Sequence, residues 1–234
     1  MKPAWAAPLC ALATGVATLV ITVSFTQLAE VKAAYPHGDF SLALGAFQRA
    51  TSMDQLAALF GAPPDAGKLA AMTAGNTLDL YGYIPVYTIF MLWAAIMLGQ
   101  NEQGRGRALM WFPILAALVA CAGDIVETTS QLAISTDWTH AASALPRVAP
   151  GCWTKFFGLA VHALGCSALC FTGARKRWIL GVIGLAPIVA TVAEFTHHAA
   201  MSSAMTPALG VFWIALLVVA AVELYRAARV TSAQ

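Results

Sequence analysis

A chain of 234 residues that is 59% hydrophobic and only 10% charged cannot build a water-soluble surface, because soluble domains draw about a quarter of their residues from Asp, Glu, Lys and Arg. The formal net charge of +2, with its cations scattered or gathered at helix ends and not in a basic stripe, excludes nucleic acid as a partner. The five cysteines, Cys10, Cys121, Cys152, Cys166 and Cys170, lack C-x-x-C or metal-knuckle spacing and read as small core residues, with Cys152 alone in a loop.

In chain order, six stretches at about 5–27, 76–99, 108–132, 153–173, 178–200 and 205–225 are apolar enough to cross about 30 Å of hydrocarbon, which takes around 20 helical residues. They predict an all-α fold, a polytopic transmembrane bundle of about six helices forming a single domain over residues 1–234. Lys2 precedes the first apolar run as in a signal peptide. The length of that run, and the lack of a small-x-small cleavage site after it, predict an uncleaved anchor.

The connection 28–75 has an amphipathic pattern in Phe40, Leu42, Leu44 and Phe47, followed by Thr51, Ser52, Met53 and Asp54 ahead of Leu56, Leu59 and Phe60. Asp54 or Thr51 is expected to cap a short helix, with Pro63, Pro64 and Gly67 breaking it. The segment reads as a small helical cap on the outer membrane surface.

Basic residues close to the membrane are retained on the cytoplasmic side. Arg105 and Arg107 follow the second span, Arg175, Lys176 and Arg177 the fourth, and Arg226 and Arg229 the sixth. With Lys2, all fall on one side of an even-numbered bundle, which predicts a bacterial inner-membrane protein with both termini cytoplasmic and the cap periplasmic. Pro85, Pro113 and Pro187 are expected to kink their spans. Gly158, Gly165, Gly173, Gly181 and Gly184 suit close helix packing, and Trp138, Trp153 and Trp178 suit interfacial anchoring.

Ionisable residues at bilayer depth cost a few kcal/mol on insertion scales and mark functional positions. Here they are Asp79, Asp124, Glu127, Lys155, His162, Glu194, His197 and His198. Residues three and four apart share a helix face, so Asp124, Glu127 and Gln131 form one polar stripe, Glu194, His197 and His198 a second, Lys155 and His162 a third, and Asp79 and Tyr83 a fourth. With about 1.5 Å of rise per residue, Asp124 lies roughly 10–12 Å inside the outer end of its helix. The polar residues thus gather toward the periplasmic side, and Glu223 is expected to be neutralised by Arg226 at the inner rim.

Asp124, Glu127, Glu194 and His162 are the candidate catalytic groups for acid/base or cation-assisted chemistry. Asp79, Tyr83 and Lys155 are candidate binding residues, with Lys155 as counter-charge or as a lock between helices. Glu194, His197 and His198 contain one Glu-x-x-His element of the kind that di-metal carboxylate bundles use twice, which makes them candidate ligands for a divalent metal ion. The substrate class is a lipophilic or amphipathic small molecule reached from membrane lipid. A proton- or cation-coupled transporter or sensor would use the same carboxylates. An accessory subunit, packing on a membrane-protein partner or on further copies of itself, would use them only as cement. No G-x-S-x-G, H-E-x-x-H, P-loop or dinucleotide fingerprint is present.

The run from Phe40 to Glu127, with Leu78-Asp79-Leu80-Tyr81 entering the second span and Gly123-Asp124-Ile125-Val126-Glu127-Thr128 in the third, resembles a family of small bacterial integral membrane proteins. That family carries an aspartate at the start of its second helix and an Asp-x-x-Glu-Asn signature in its third. Thr128 stands where the pattern has Asn, and the fifth and sixth spans exceed its four-helix plan. The resemblance covers about half the chain. It implies that Asp79, Asp124 and Glu127 act together, and it implies no activity.

Reporter fusions at Gln103 and after Gln234 are expected to report the cytoplasm, and one at Pro64 the periplasm. Opposite-side signals from the first two would overturn the topology.

Overall fold

The computed structural model describes residues 5–100, 102–197 and 204–231. Among them the chain is helical, without a strand. Helices satisfy every backbone N–H and C=O within one segment, which a hydrocarbon environment demands. Six helical segments are long and apolar enough to span a bilayer: Ala6–Phe25, Ala66–Gly99, Arg105–Thr136, Trp138–Thr172, Trp178–Thr196 and Met205–Arg229. They expose large apolar side chains such as Val20, Val23, Leu115, Val189 and Val218, a surface suited to acyl chains.

The helices are α1 (Ala6–Phe25), α2 (Ala29–Ala34), α3 (Phe40–Gln48), α4 (Met53–Phe60), α5 (Ala66–Leu78), α6 (Ile84–Gly99), α7 (Arg105–Leu109), α8 (Trp111–Thr136), α9 (Ala141–Ala144), α10 (Val148–Thr172), α11 (Trp178–Ile183), α12 (Ala186–His197) and α13 (Met205–Thr231). The second span starts about ten residues earlier than hydropathy predicts. Its first turns, α5, carry Lys68, Thr73, Asn76 and Thr77 and are helical because Ala71, Met72, Gly75 and Asn76 are buried on one face. Between α5 and α6 the residues Asp79–Tyr83 form a π-helical turn in which the Ile84 N–H bonds to the Asp79 carbonyl. Pro85 supplies the reason, since a proline has no N–H and its ring clashes with the carbonyl four residues back.

Two other prolines sit where a missing donor costs nothing. Pro113 lies in the first turn of α8 and Pro187 in that of α12, where the N–H has no helical partner. The expected kink at Pro187 is instead a break between α11 and α12 at Gly184 and Leu185. Cys152, expected in a loop, is buried in α10.

The chain divides into two compact units. One comprises Met1–Ala17, Val86–Ala120 and Phe156–Gln234. In it Tyr87 stacks on Trp213 at 5.8 Å, and Gly158 lies so close to Ala120 that a Cβ would meet its backbone N at 2.7 Å. The Ala174 N–H donates to the Glu102 carboxylate at 2.8 Å, so the connections after the second and fourth spans meet at one end of their helices.

The other unit comprises Thr18–Pro85 and Cys121–Lys155, and it contains the connection expected to be a cap. That connection folds as α2, α3 and α4 over a core of Val31, Tyr35, Phe40, Phe47, Leu56 and Phe60. Phe47 and Phe60 meet edge to face at 5.1 Å, and Trp138, expected at the lipid interface, packs on Phe60 at 5.7 Å. The cap of α4 is Ser52, not Asp54 or Thr51. Its hydroxyl accepts from the Gln55 N–H while the Gln55 side chain accepts from the Ser52 N–H, a reciprocal capping box. Gly67, expected to break the helix, is the second residue of α5, which Asp65 caps by accepting from the Lys68 N–H at 2.9 Å. Between α8 and α10, Asp137 caps the turn Trp138–His140. The Thr139 hydroxyl and N–H, with His140 beside them, hold its carboxyl below the usual carboxylate range.

Tyr35 is buried in this core with its hydroxyl unpartnered among the described residues. Burial pushes that hydroxyl up to about 12, aided by the charges of Asp39 and Asp65. The unfolded chain therefore releases this proton first, near the ordinary phenol value of about 10. Stability from this group is full below that pH and falls as pH rises toward the folded value. Tyr35→Phe is expected to keep neutral-pH stability within about 1 kcal/mol, since it removes only an unsatisfied polar atom, and to flatten the alkaline fall. Thermal unfolding of both proteins against pH checks this.

A buried carboxylate and lysine cluster as the candidate functional site

The geometry of the site begins with glycines. On α8, a Cβ at Gly123 would stand 2.6 Å from the Lys155 backbone N, and on α10 a Cβ at Gly151 would stand 2.6 Å from the Glu127 backbone N. The two helices touch backbone to backbone there, which only small residues allow. This approach places the residue after Gly123 and the residue one turn after Gly151 against each other. They are Asp124 and Lys155.

The Lys155 Nζ lies 3.1 Å from Asp124 Oδ1 and 2.6 Å from Glu127 Oε2. Lys155, Asp124 and Glu127 are buried, at 6%, 2% and 0% exposure. Asp124 and Glu127 share a face of α8, as their spacing predicts, and Gln131 continues it by donating from Nε2 to Glu127 Oε1 at 3.4 Å. The Gln48 side chain from the end of α3 also hydrogen-bonds Glu127. Arg49, next in the chain, is near enough for its charge to act on Cys152, as do those of Glu127 and Lys155.

Asp79 joins through Thr128. The Thr128 Oγ1 lies 3.1 Å from Asp79 Oδ2 and 3.4 Å from Asp124 Oδ1. Asp79 opens the π-helical turn, and such turns recur at functional positions because they re-aim side chains out of helical register. Tyr83, the last residue of that turn, packs edge-on against Phe25 of α1 at 5.7 Å and hydrogen-bonds with Thr22. One turn before Asp79, the buried Asn76 leaves its Nδ2 unpartnered among the described residues.

Of the predicted site residues, Asp79, Asp124, Glu127 and Lys155 form one hydrogen-bonded group within one unit. His162 and Glu194 belong to the other unit and are buried there. His162 has a local role: its Nδ1 donates to the Pro113 carbonyl at 3.0 Å, which leaves Nε2 as the acceptor facing Cys166 Sγ at 3.5 Å. The metal set Glu194, His197 and His198 falls in part outside the description, because His198 and the His197 side chain are not among the described residues. Among those that are, no group of three or more His, Cys, Asp or Glu side chains is placed to hold a metal ion.

Four participants, Thr128, Gln48, Gly123 and Gly151, are not among the predicted site residues, although Gly123 and Thr128 stand in the motif run of the third span. Thr128 was legible as i+4 from Asp124, and the glycines as small residues beside the acidic stripe. Gln48 carried no signal, since nothing in its local pattern says that α3 ends beside α8.

No family model, curated protein or solved structure matches the chain. What the fold and the six spans define is a multi-pass integral membrane protein in contact with lipid.

Breaking a buried ion pair from one side costs about 3–5 kcal/mol, whereas replacing the whole set with neutral groups is close to neutral. Lys155→Met is therefore expected to destabilise the protein by about that amount in detergent. Adding Asp124→Asn and Glu127→Gln to it should recover most of the loss. Thermal unfolding of the three proteins provides the measurement, and a triple variant no better than the single would refute the pairing.

Proposed function

We propose that the Asp79, Asp124, Glu127 and Lys155 cluster is a membrane-embedded acid/base site that holds an exchangeable proton and acts on a lipophilic or amphipathic substrate. The protein would lie in the bacterial inner membrane, with both termini cytoplasmic and α2–α4 on the periplasmic side, so that substrate reaches the site from lipid or past the cap. The resemblance to the small bacterial membrane family, whose motif positions are Asp79, Asp124 and Glu127, supports treating these residues as one set.

The observation that carries the reading is the single hydroxyl between two carboxyls. Thr128 has one hydrogen, yet its oxygen stands within reach of both Asp79 Oδ2 and Asp124 Oδ1. If both acids were ionised, only one could receive that hydrogen and the other would face a lone pair. If Asp79 holds a proton, the chain is complete: Asp79 donates to Thr128, Thr128 donates to Asp124, and Asp124 and Glu127 share the Lys155 ammonium. Charge counting agrees, since three carboxylates facing one ammonium in a low-dielectric site cannot all stay ionised without compensation. A proton at Asp79 can be delivered to a substrate and replaced, as general acid/base chemistry requires.

Infrared spectroscopy of the full chain in lipid tests this directly. The wild type is expected to show the carbonyl band of a protonated carboxylic acid at neutral pH. Asp79→Asn, which keeps a donor toward Thr128, should abolish the band, and Glu223→Gln should leave it in place. If the wild type shows no such band, or if Asp79→Asn retains it, the exchangeable proton is not there and the cluster is a lock between helices.

A further inference from the structure

Within the unit containing Phe156–Gln234, a second charged group has the opposite sign. Glu223 of α13, buried at 9% exposure, receives three guanidinium groups: Arg175, Arg177 through Nη2 at 3.1 Å, and Arg226 through Nη1 at 3.2 Å. The expectation from sequence was Arg226 alone. One carboxylate offers two oxygens, whereas three guanidiniums bring about five N–H donors each, so the group holds far more donors than Glu223 can use. The surplus is not evenly placed. The Arg177 side chain is 11% exposed, whereas those of Arg175 and Arg226 are 55% and 59% exposed. Two guanidiniums are therefore anchored on one acid while more than half of each side chain stays exposed. The spare charge of this group is two, three cations less one anion, and Lys176 adds to it.

The same basic end closes a groove of about 540 Å³, within the range of about 300–1,000 Å³ typical of small-molecule sites. Ile179 and Ile183 on α11 and Ala215 and Val218 on α13 line it, together with Lys176, Arg177 and Trp178. Ile179 is among the most exposed large apolar residues of the chain. In a membrane-spanning segment such a groove is filled by hydrocarbon. Trp178, packed beside Phe171 with ring centroids 5.3 Å apart, marks the level where aromatic rings meet headgroups.

We propose that this place binds an anionic phospholipid, with its phosphate on Arg175 and Arg226 and an acyl chain in the groove between α11 and α13. Arginine suits the task because its planar fork pairs two N–H groups with two phosphate oxygens. Glu223 does not compete with the lipid. It holds the two guanidiniums near each other, and its own charge is already satisfied.

The test is native mass spectrometry of the full-length protein in detergent, titrated with phosphatidylglycerol or phosphatidylcholine of identical acyl chains. Phosphatidylglycerol is expected to bind at least about tenfold tighter, since each Arg near an anionic headgroup contributes roughly a fivefold preference. The double change Arg175→Gln and Arg226→Gln should erase the preference while leaving Arg177 on Glu223. The single change Arg226→Gln should reduce it several-fold and serves as the milder variant if the double one unfolds. Changing Arg105 and Arg107 to Gln, in α7, should leave it unaltered. Equal retention of the two lipids by the wild type, an undiminished preference in the Arg226→Gln or double variant, or an equal loss in the α7 variant would each overturn the proposal. The last of these would mean that only diffuse positive charge is sensed.

Discussion

An ammonium held 2.6 Å from one carboxylate and 3.1 Å from another, almost without exposure, constrains everything around it. None of the three groups can be left alone at that depth, because each ion out of water costs several kcal/mol and only close pairing offsets it. Lys155 therefore dictates the register of α10 on α8, and the register dictates where glycine must stand. Gly123 and Gly151 let the backbones touch, which shortens the reach that Lys155 must span. A bulkier residue at either place would separate the helices and strand the charges.

The remaining parts of that unit serve the same group. The π-helical turn forced by Pro85 presents Asp79 at the point where Thr128 can bridge it to Asp124. Above the polar stripe of α8, the helices α2–α4 close over an aromatic core like that of a small soluble domain, and the end of α3 brings the Gln48 amide to Glu127. The spans bury glycine and alanine contacts together with large side chains such as Tyr87, Phe90 and Phe212, and leave exposed Val, Leu and Ile for lipid. A chain so apolar thus also contains, outside its spans, an interior built on Tyr35, Phe40, Phe47 and Phe60.

Glu223 and its guanidiniums show the same physics with the sign inverted. There one buried acid is over-supplied with cations, and the excess faces outward where a phosphate can meet it. In the Lys155 group one cation is under-supplied against three acids, and the deficit is met by a proton in the reading favoured above. Each cluster is thus defined less by the pairs it makes than by the charge those pairs leave over.

Six apolar runs, the absence of a soluble surface and the sharing of one face by Asp124, Glu127 and Gln131 were all legible in the amino-acid order, because hydropathy and the 3.6-residue period are local properties. Asp79 and Lys155 could be flagged as expensive and grouped with the acids of α8, by the resemblance for Asp79 and as a counter-charge for Lys155, but their contacts could not be assigned. Which acid meets the lysine, why His162 turns to Pro113 and Cys166, that Gln48 reaches α8, and that three arginines share Glu223 are facts about helices distant in the chain. Helical periodicity says which side a residue faces along its own axis but nothing about which helix stands opposite. That was decided by the close glycine contacts and by the need to neutralise each buried charge, conditions that exist only once the helices have packed.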